Sequence, residues 1–207
     1  MTITYPLALP TATAIKSLRF LPEVSAGIAR SPWTLQRQAQ LNQGHVWAFE
    51  AILPPMKETD ADAWITWRLK LKGPFGTFLM GDPLRVSPRG TGSGTPLVNG
   101  ASQTGDNLVT DGWAASQIVL KAGDYVQLGS GLSTRLHKVL DDVTSDGAGN
   151  ATLMLWPPVR PGDSPADTAA LTINNTVGLF SMADSKIEWN VDEAQIYGLT
   201  FTAVEAL

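Results

Sequence analysis

The 207-residue sequence contains no cysteine, which excludes disulfide staples, zinc-thiolate and iron-sulfur sites, and thiol nucleophiles. Stability must therefore come from packing and hydrogen bonding. Charge is scarce as well: Asp, Glu, Lys and Arg make up 16% of the chain, against about 25% in ordinary globular domains. The net charge is −4 and basic residues never run beyond isolated pairs, so there is no electrostatic footprint for a phosphate backbone. Nucleic acid is not an expected partner. No stretch approaches the ~18 continuous apolar residues of a membrane span. The opening Met1-Thr2-Ile3-Thr4-Tyr5-Pro6 lacks the basic start and apolar run of a signal peptide. Neither membrane insertion nor signal-peptide secretion is expected, and no internal repeat is visible.

What is present is turn chemistry. The 19 glycines and 14 prolines, combined with few charges, predict frequent turns between short strands. Trp47, Phe49, Ala51 and Leu53 alternate as in a half-buried strand. One helix is predicted near 60–71, with Thr59 as N-cap, Asp60 and Asp62 in the first turn, and Ala61, Trp64, Ile65, Arg68 and Leu69 at helical spacing. Gly73-Pro74 ends it, and Phe75 to Leu79 follows as a strand. From Leu84 to about Gly105 the composition shifts to Gly, Ser, Thr and Pro, most densely in Ser87 to Pro96, and the stretch reads as an exposed, flexible connection. Strands are expected over Gln117 to Leu120, Tyr125 to Leu128, Arg135 to Val143 and Ala151 to Trp156. Asp146 to Asn150 forms the hairpin turn between the last two of these, and Pro157-Pro158 closes the strand that ends at Trp156. Near the C-terminus, Ile187, Trp189 and Val191 alternate with polar residues, as do Tyr197, Leu199 and Phe201, predicting two half-buried strands. The expected fold is mainly β. Residues 1–83 and 171–207 form a discontinuous β-sandwich-like domain with the one helix, and residues 84–170 form an inserted small β-barrel.

Little catalytic equipment is visible. His45 and His137 have no second His at metal-ligand spacing, and no G-x-S-x-G surrounds a serine; Ser130 lacks the full elbow. Asp142-Val143-Thr144-Ser145-Asp146-Gly147 opens like a calcium loop but has Leu153 where a bidentate Glu belongs, and so reads as a hairpin turn. Gly90-Thr91-Gly92-Ser93-Gly94 lacks the lysine and spacing of a phosphate loop. Asp60, Asp62, Glu188, Asp192 and Glu193 occupy helix starts and polar strand faces, where carboxylates need no catalytic explanation. Seven tryptophans are present. Trp47, Trp64, Trp156 and Trp189 sit at periodic, core-like positions, whereas Trp113 follows a turn and suits a sugar platform or an interface anchor. No catalytic, metal or cofactor residue is nominated, and the profile is that of an assembly protein rather than an enzyme.

Leu53-Pro54-Pro55-Met56, Ala63-Trp64 through Leu69, Gly73, Gly76-Thr77-Phe78-Leu79 and Gly81-Asp82-Pro83 resemble runs in small tail proteins of long-tailed bacteriophages and prophages. So do Pro88-Arg89-Gly90-Thr91, Asn99 to Gly105, Gly123-Asp124-Tyr125-Val126-Gln127-Leu128 and Asn150 to Pro158. The chain looks most like a distal tail protein, without that family's long C-terminal galectin-like domain. The resemblance implies a structural virion protein made in the host bacterial cytoplasm. It would assemble as a hexameric ring by heterologous contacts and join the tail tube to the baseplate, hub or receptor-binding proteins. Trp33, Met56, Trp113 and Met154 are the interface candidates. The alternatives are a carbohydrate-binding tail-tip module, stacking host sugars on Trp113 or Trp156, and a wall-degrading enzyme, which would need converging carboxylates or a metal site.

Overall fold

The computed structural model describes residues 2–11, 14–42, 44–193 and 195–207. In chain order the elements are β1 (Ser17–Phe20), β2 (Ala26–Arg30), β3 (Arg37–Leu41), β4 (Ala48–Ile52), α1 (Glu58–Leu71), β5 (Thr77–Met80), β6 (Gly94–Val98), β7 (Gly105–Trp113) and β8 (Ile118–Leu120). They continue with β9 (Tyr125–Leu128), β10 (Arg135–Val139), β11 (Val143–Thr144), β12 (Ala151–Val159), β13 (Gly178–Met182), β14 (Asn190–Val191), β15 (Tyr197–Gly198) and β16 (Thr200–Glu205). The fold is mainly β, with a sheet curled into a half barrel. One antiparallel sheet runs β1-β4-β16-β13-β5, so the C-terminal strands lie between N-terminal ones; a second runs β6-β7-β12-β10-β9.

The first sheet owes its core to alternation. In β4 and its flanks Trp47, Phe49, Ala51 and Leu53 all point inward and are buried, as a period of two requires. The helix covers that face. Phe49 meets Phe180 edge-on at 4.8 Å between ring centroids, and Trp67 meets Phe78 at 4.9 Å, geometries that favour aromatic quadrupoles. Helix α1 starts one residue before the expected cap. Lys57, in extended conformation, occupies the N-cap without a side-chain hydrogen bond, and Thr59 is already helical. The cause is long-range: Leu53 and Met56 donate backbone hydrogen bonds to the Leu199 and Tyr197 carbonyls, which holds the approach to the helix before Thr59 is reached. At the other end Lys72 adopts the left-handed conformation and donates to the Leu69 carbonyl, ending the helix before Gly73. Leu71 rather than Leu69 completes the buried stripe. A single turn of 3-10 helix at Gly73–Phe75 delays the next strand to Thr77.

The second cluster gathers Val98, Leu108, Trp113, Val119, Leu120, Val126, Leu128, Val139, Val143, Leu153 and Leu155, joined by Leu171 and Ile173. Tyr125 and Leu136 pack in the first cluster instead, so the two cores cross the boundary expected at residue 170. The 84–105 stretch is not a flexible connection. Its residues 94–98 form β6, paired to β7. Upstream, the buried Asp124 carboxylate accepts hydrogen bonds from the backbone N–H groups of Arg89, Gly90 and Lys121 and from Arg89 Nε. Burial, the largest single influence, pushes the Asp124 carboxyl upward; these donors together outweigh it and hold the group below the usual carboxylate range. Nor do the prolines stop β12, which continues through Pro157-Pro158 to Val159. Its register with β7 is interrupted between Met154 and Val159, so the prolines fall where no ladder donor is demanded.

A polar joint links the cores. Arg160 donates to both oxygens of Glu205 at 3.2 and 3.1 Å and to the His45 carbonyl, while Glu205 also accepts from the Trp47 N–H at 3.1 Å. Trp47 in turn donates its indole N–H to the Leu136 carbonyl at 2.8 Å and packs edge-on against Trp156 of β12. Near the C-terminus the expected strand over 187–192 shrinks to the two-residue pairing of β14 with β15. Trp189 and Val191 are exposed rather than core, because among the described residues no third strand or helix covers that ribbon.

Candidate functional site

Two features stand out from the packed framework. The first is the hairpin of β2 and β3, which among the described residues pairs only with itself, Ala26 opposite Leu41, Ile28 opposite Ala39 and Arg30 opposite Arg37. All ten of its strand residues are exposed. Since opposed residues share a face and the period is two, one side of this ribbon carries Ala26, Ile28, Arg30, Arg37, Ala39 and Leu41. The other carries Gly27, Ala29, Gln38 and Gln40. The ribbon is thus amphipathic with its apolar side uncovered. At its tip the Ser31 hydroxyl oxygen accepts from the N–H groups of Trp33 and Thr34, and the Leu35 N–H reaches the Ser31 carbonyl. Trp33 is held in this turn at 92% exposure.

The second feature is a groove of about 380 Å³ between the N-terminal segment, α1 and the loops after β5 and before β13. Leu9, Ile15, Trp64, Met80, Pro83, Val86 and Val177 line it, with Asp82 the one acidic group among its described lining. Gly81 shapes its wall: a Cβ there would stand 2.0 Å from the Thr176 carbonyl oxygen, so only glycine lets the two segments approach. Leu84, 89% exposed, lies two residues from Asp82 and extends the apolar surface. Trp64 is buried beneath, and its indole N–H has no acceptor among the described residues.

The four nominated residues divide. Trp33 stands free on the arm and Met154, on β12, is 40% exposed. Met56 is buried in the first core, and Trp113 is buried in the second with its indole N–H donating to Thr110 Oγ1 at 2.8 Å. Strand β7 runs through the turn that was expected before Trp113 and carries the ring inward, which removes it both as interface anchor and as sugar platform. Trp156, the other proposed platform, is half-buried against Trp47 and His45. The exposed ribbon itself was missed, although its period-two pattern and its facing arginines are present in Ala26 to Leu41.

The remaining chemistry is occupied locally. His137 is buried with Nδ1 2.7 Å from the Pro157 carbonyl, and burial, above all, lowers its pKa. In the calcium-like run Asp142 accepts from the Ala122 N–H, and Asp146 accepts from the Ala148 and Asn150 N–H groups and the Asn150 amide. Gln43, beside His45, lies outside the described residues. A polar cavity of about 520 Å³ contains Arg68, Glu50, Asp184, Lys186 and Glu188; Arg68 donates to the Glu188 carbonyl at 2.9 Å, and burial lowers its pKa, opposed by Glu188. Among the described residues no helix is long and apolar enough to cross a membrane. A comparison with known protein families returns no matching family model, and no curated protein matches the chain.

Proposed function

We propose that the chain is a non-enzymatic structural protein of a bacteriophage tail tip, building a homo-oligomeric, hexameric ring between the tail tube and the baseplate or hub. The exposed amphipathic hairpin carries this reading. A ribbon of two strands is marginal in water by itself, and an uncovered apolar face marks a surface meant for a partner. An apolar groove on a different part of the same chain supplies the second surface that a head-to-tail ring requires. The sequence runs that resemble distal tail proteins point the same way. Light scattering across a concentration series, followed by negative-stain imaging, tests it: closed particles near six times 22.1 kDa are expected. A chain that stays monomeric at every concentration overturns the reading.

A further inference from the structure

We infer that the hairpin arm of one copy seats its tip, led by Trp33, in the apolar groove of the next copy; this rests on the ring reading above and names the contact that would close the ring. Arm and groove are different surfaces of one chain, so each copy offers both and the contact repeats head-to-tail. The occupant of the groove is therefore a second copy of this chain.

The arm explains why it needs one. Its apolar residues Ile28 and Leu41 are exposed along the ribbon, Leu41 at its base, while Trp33 at the tip is 92% exposed, and an aromatic anchor on a turn is the residue type that dominates interface energetics when it enters a pocket. Arg30 and Arg37 stand directly opposite each other, a like-charge pair that destabilises a ribbon unless a partner neutralises it. Neither arginine pairs with an acidic group among the described residues.

The groove offers the matching chemistry. Its lining is mostly apolar, Asp82 lies on it, and the adjoining depression, which shares Pro10 with it, carries both Asp62 and Lys70 of α1. An indole in the groove with the arginine pair beside Asp82 matches apolar with apolar and positive with negative.

Because the chain has no native cysteine, single-cysteine variants report the contact directly. Thr34→Cys on the arm tip and Val86→Cys on the groove, mixed and mildly oxidised, are expected to cross-link to each other and not to themselves. Trp33→Ala is expected to weaken association at least about 30-fold, the loss typical of a hot spot, with an unchanged far-UV circular dichroism spectrum because the residue is 92% exposed. Asp82→Arg weakens association too, and adding Arg30→Glu with Arg37→Glu restores part of it. Association of Trp33→Ala at the wild-type midpoint, or cross-linking of Thr34→Cys to itself, overturns the arm-in-groove contact while the particles still support the ring. Capture of the arm only by another tail protein overturns it as well. A strictly monomeric wild-type chain overturns both.

Discussion

Replacing Glu205 by alanine tests the joint that holds the two cores together. The Glu205 side chain is 3% exposed and that of Arg160 14%, so both charges have left water and depend on each other. Glu205 takes two hydrogen bonds from Arg160 and one from the Trp47 N–H. Asp163, 3.7 Å from Arg160 Nη1, is engaged with Arg135 at 3.0 Å and is a poor substitute. Glu205→Ala removes one partner of a buried pair and leaves the other uncompensated, which costs about 3–5 kcal/mol. Glu205→Gln keeps an acceptor for Trp47 and costs about 1–2 kcal/mol. Arg160→Met alone strands the carboxylate at a cost similar to that of Glu205→Ala, whereas Arg160→Met with Glu205→Gln leaves no buried charge and recovers most of the loss. The cycle of the last two substitutions should give a coupling of about 3–4 kcal/mol. Urea unfolding followed by tryptophan fluorescence measures it, since Trp47 sits in the joint. A loss below about 1 kcal/mol for Glu205→Ala, or a coupling near zero, would refute the claim that this pair ties the cores.

Two further predictions concern buried groups that titrate. Asp124→Asn places an amide against backbone N–H donors and should destabilise by about 2–4 kcal/mol. Because the folded carboxyl is held below its ordinary value, its contribution is complete above about pH 4 and is lost as pH falls through the folded value. Chemical unfolding between about pH 2 and 5 should thus show a shallower acid slope in the variant, and an unchanged slope would count against the Asp124 assignment. For His137 the buried ring resists protonation, so the unfolded chain binds the extra proton and stability falls as pH drops below about 6.5. His137→Gln, which can still donate to the Pro157 carbonyl, should flatten that decline; a decline as steep as in the wild type would show that another group causes it.

Some of this architecture was legible without coordinates. Alternation at Trp47, Phe49, Ala51 and Leu53 and helical spacing at Ala61, Trp64, Ile65 and Arg68 report the phase of side chains along a local backbone, and that phase survives in β4 and α1. Absence of cysteine likewise excluded disulfides, zinc-thiolate sites and thiol nucleophiles before any contact was known. Which of two faces is covered is a different question. Trp189 and Val191 have the pattern of a half-buried strand yet remain exposed, while Trp113, beside apparent turn residues, lies in a core. The same limit hid the arm: Ile28 and Leu41 look like core strand residues, and they stay in water because no third strand joins the ribbon among the described residues. Asp124 turned a Gly-rich stretch into an ordered wall from 35 residues away, and Glu205 found Arg160 at a separation of 45. Periodicity is a property of neighbours along the chain, so the sequence alone determined the elements and their phases. Coverage, charge pairing and the contrast between a packed framework and a bare arm depend on which distant segments meet, and only the tertiary structure decided those.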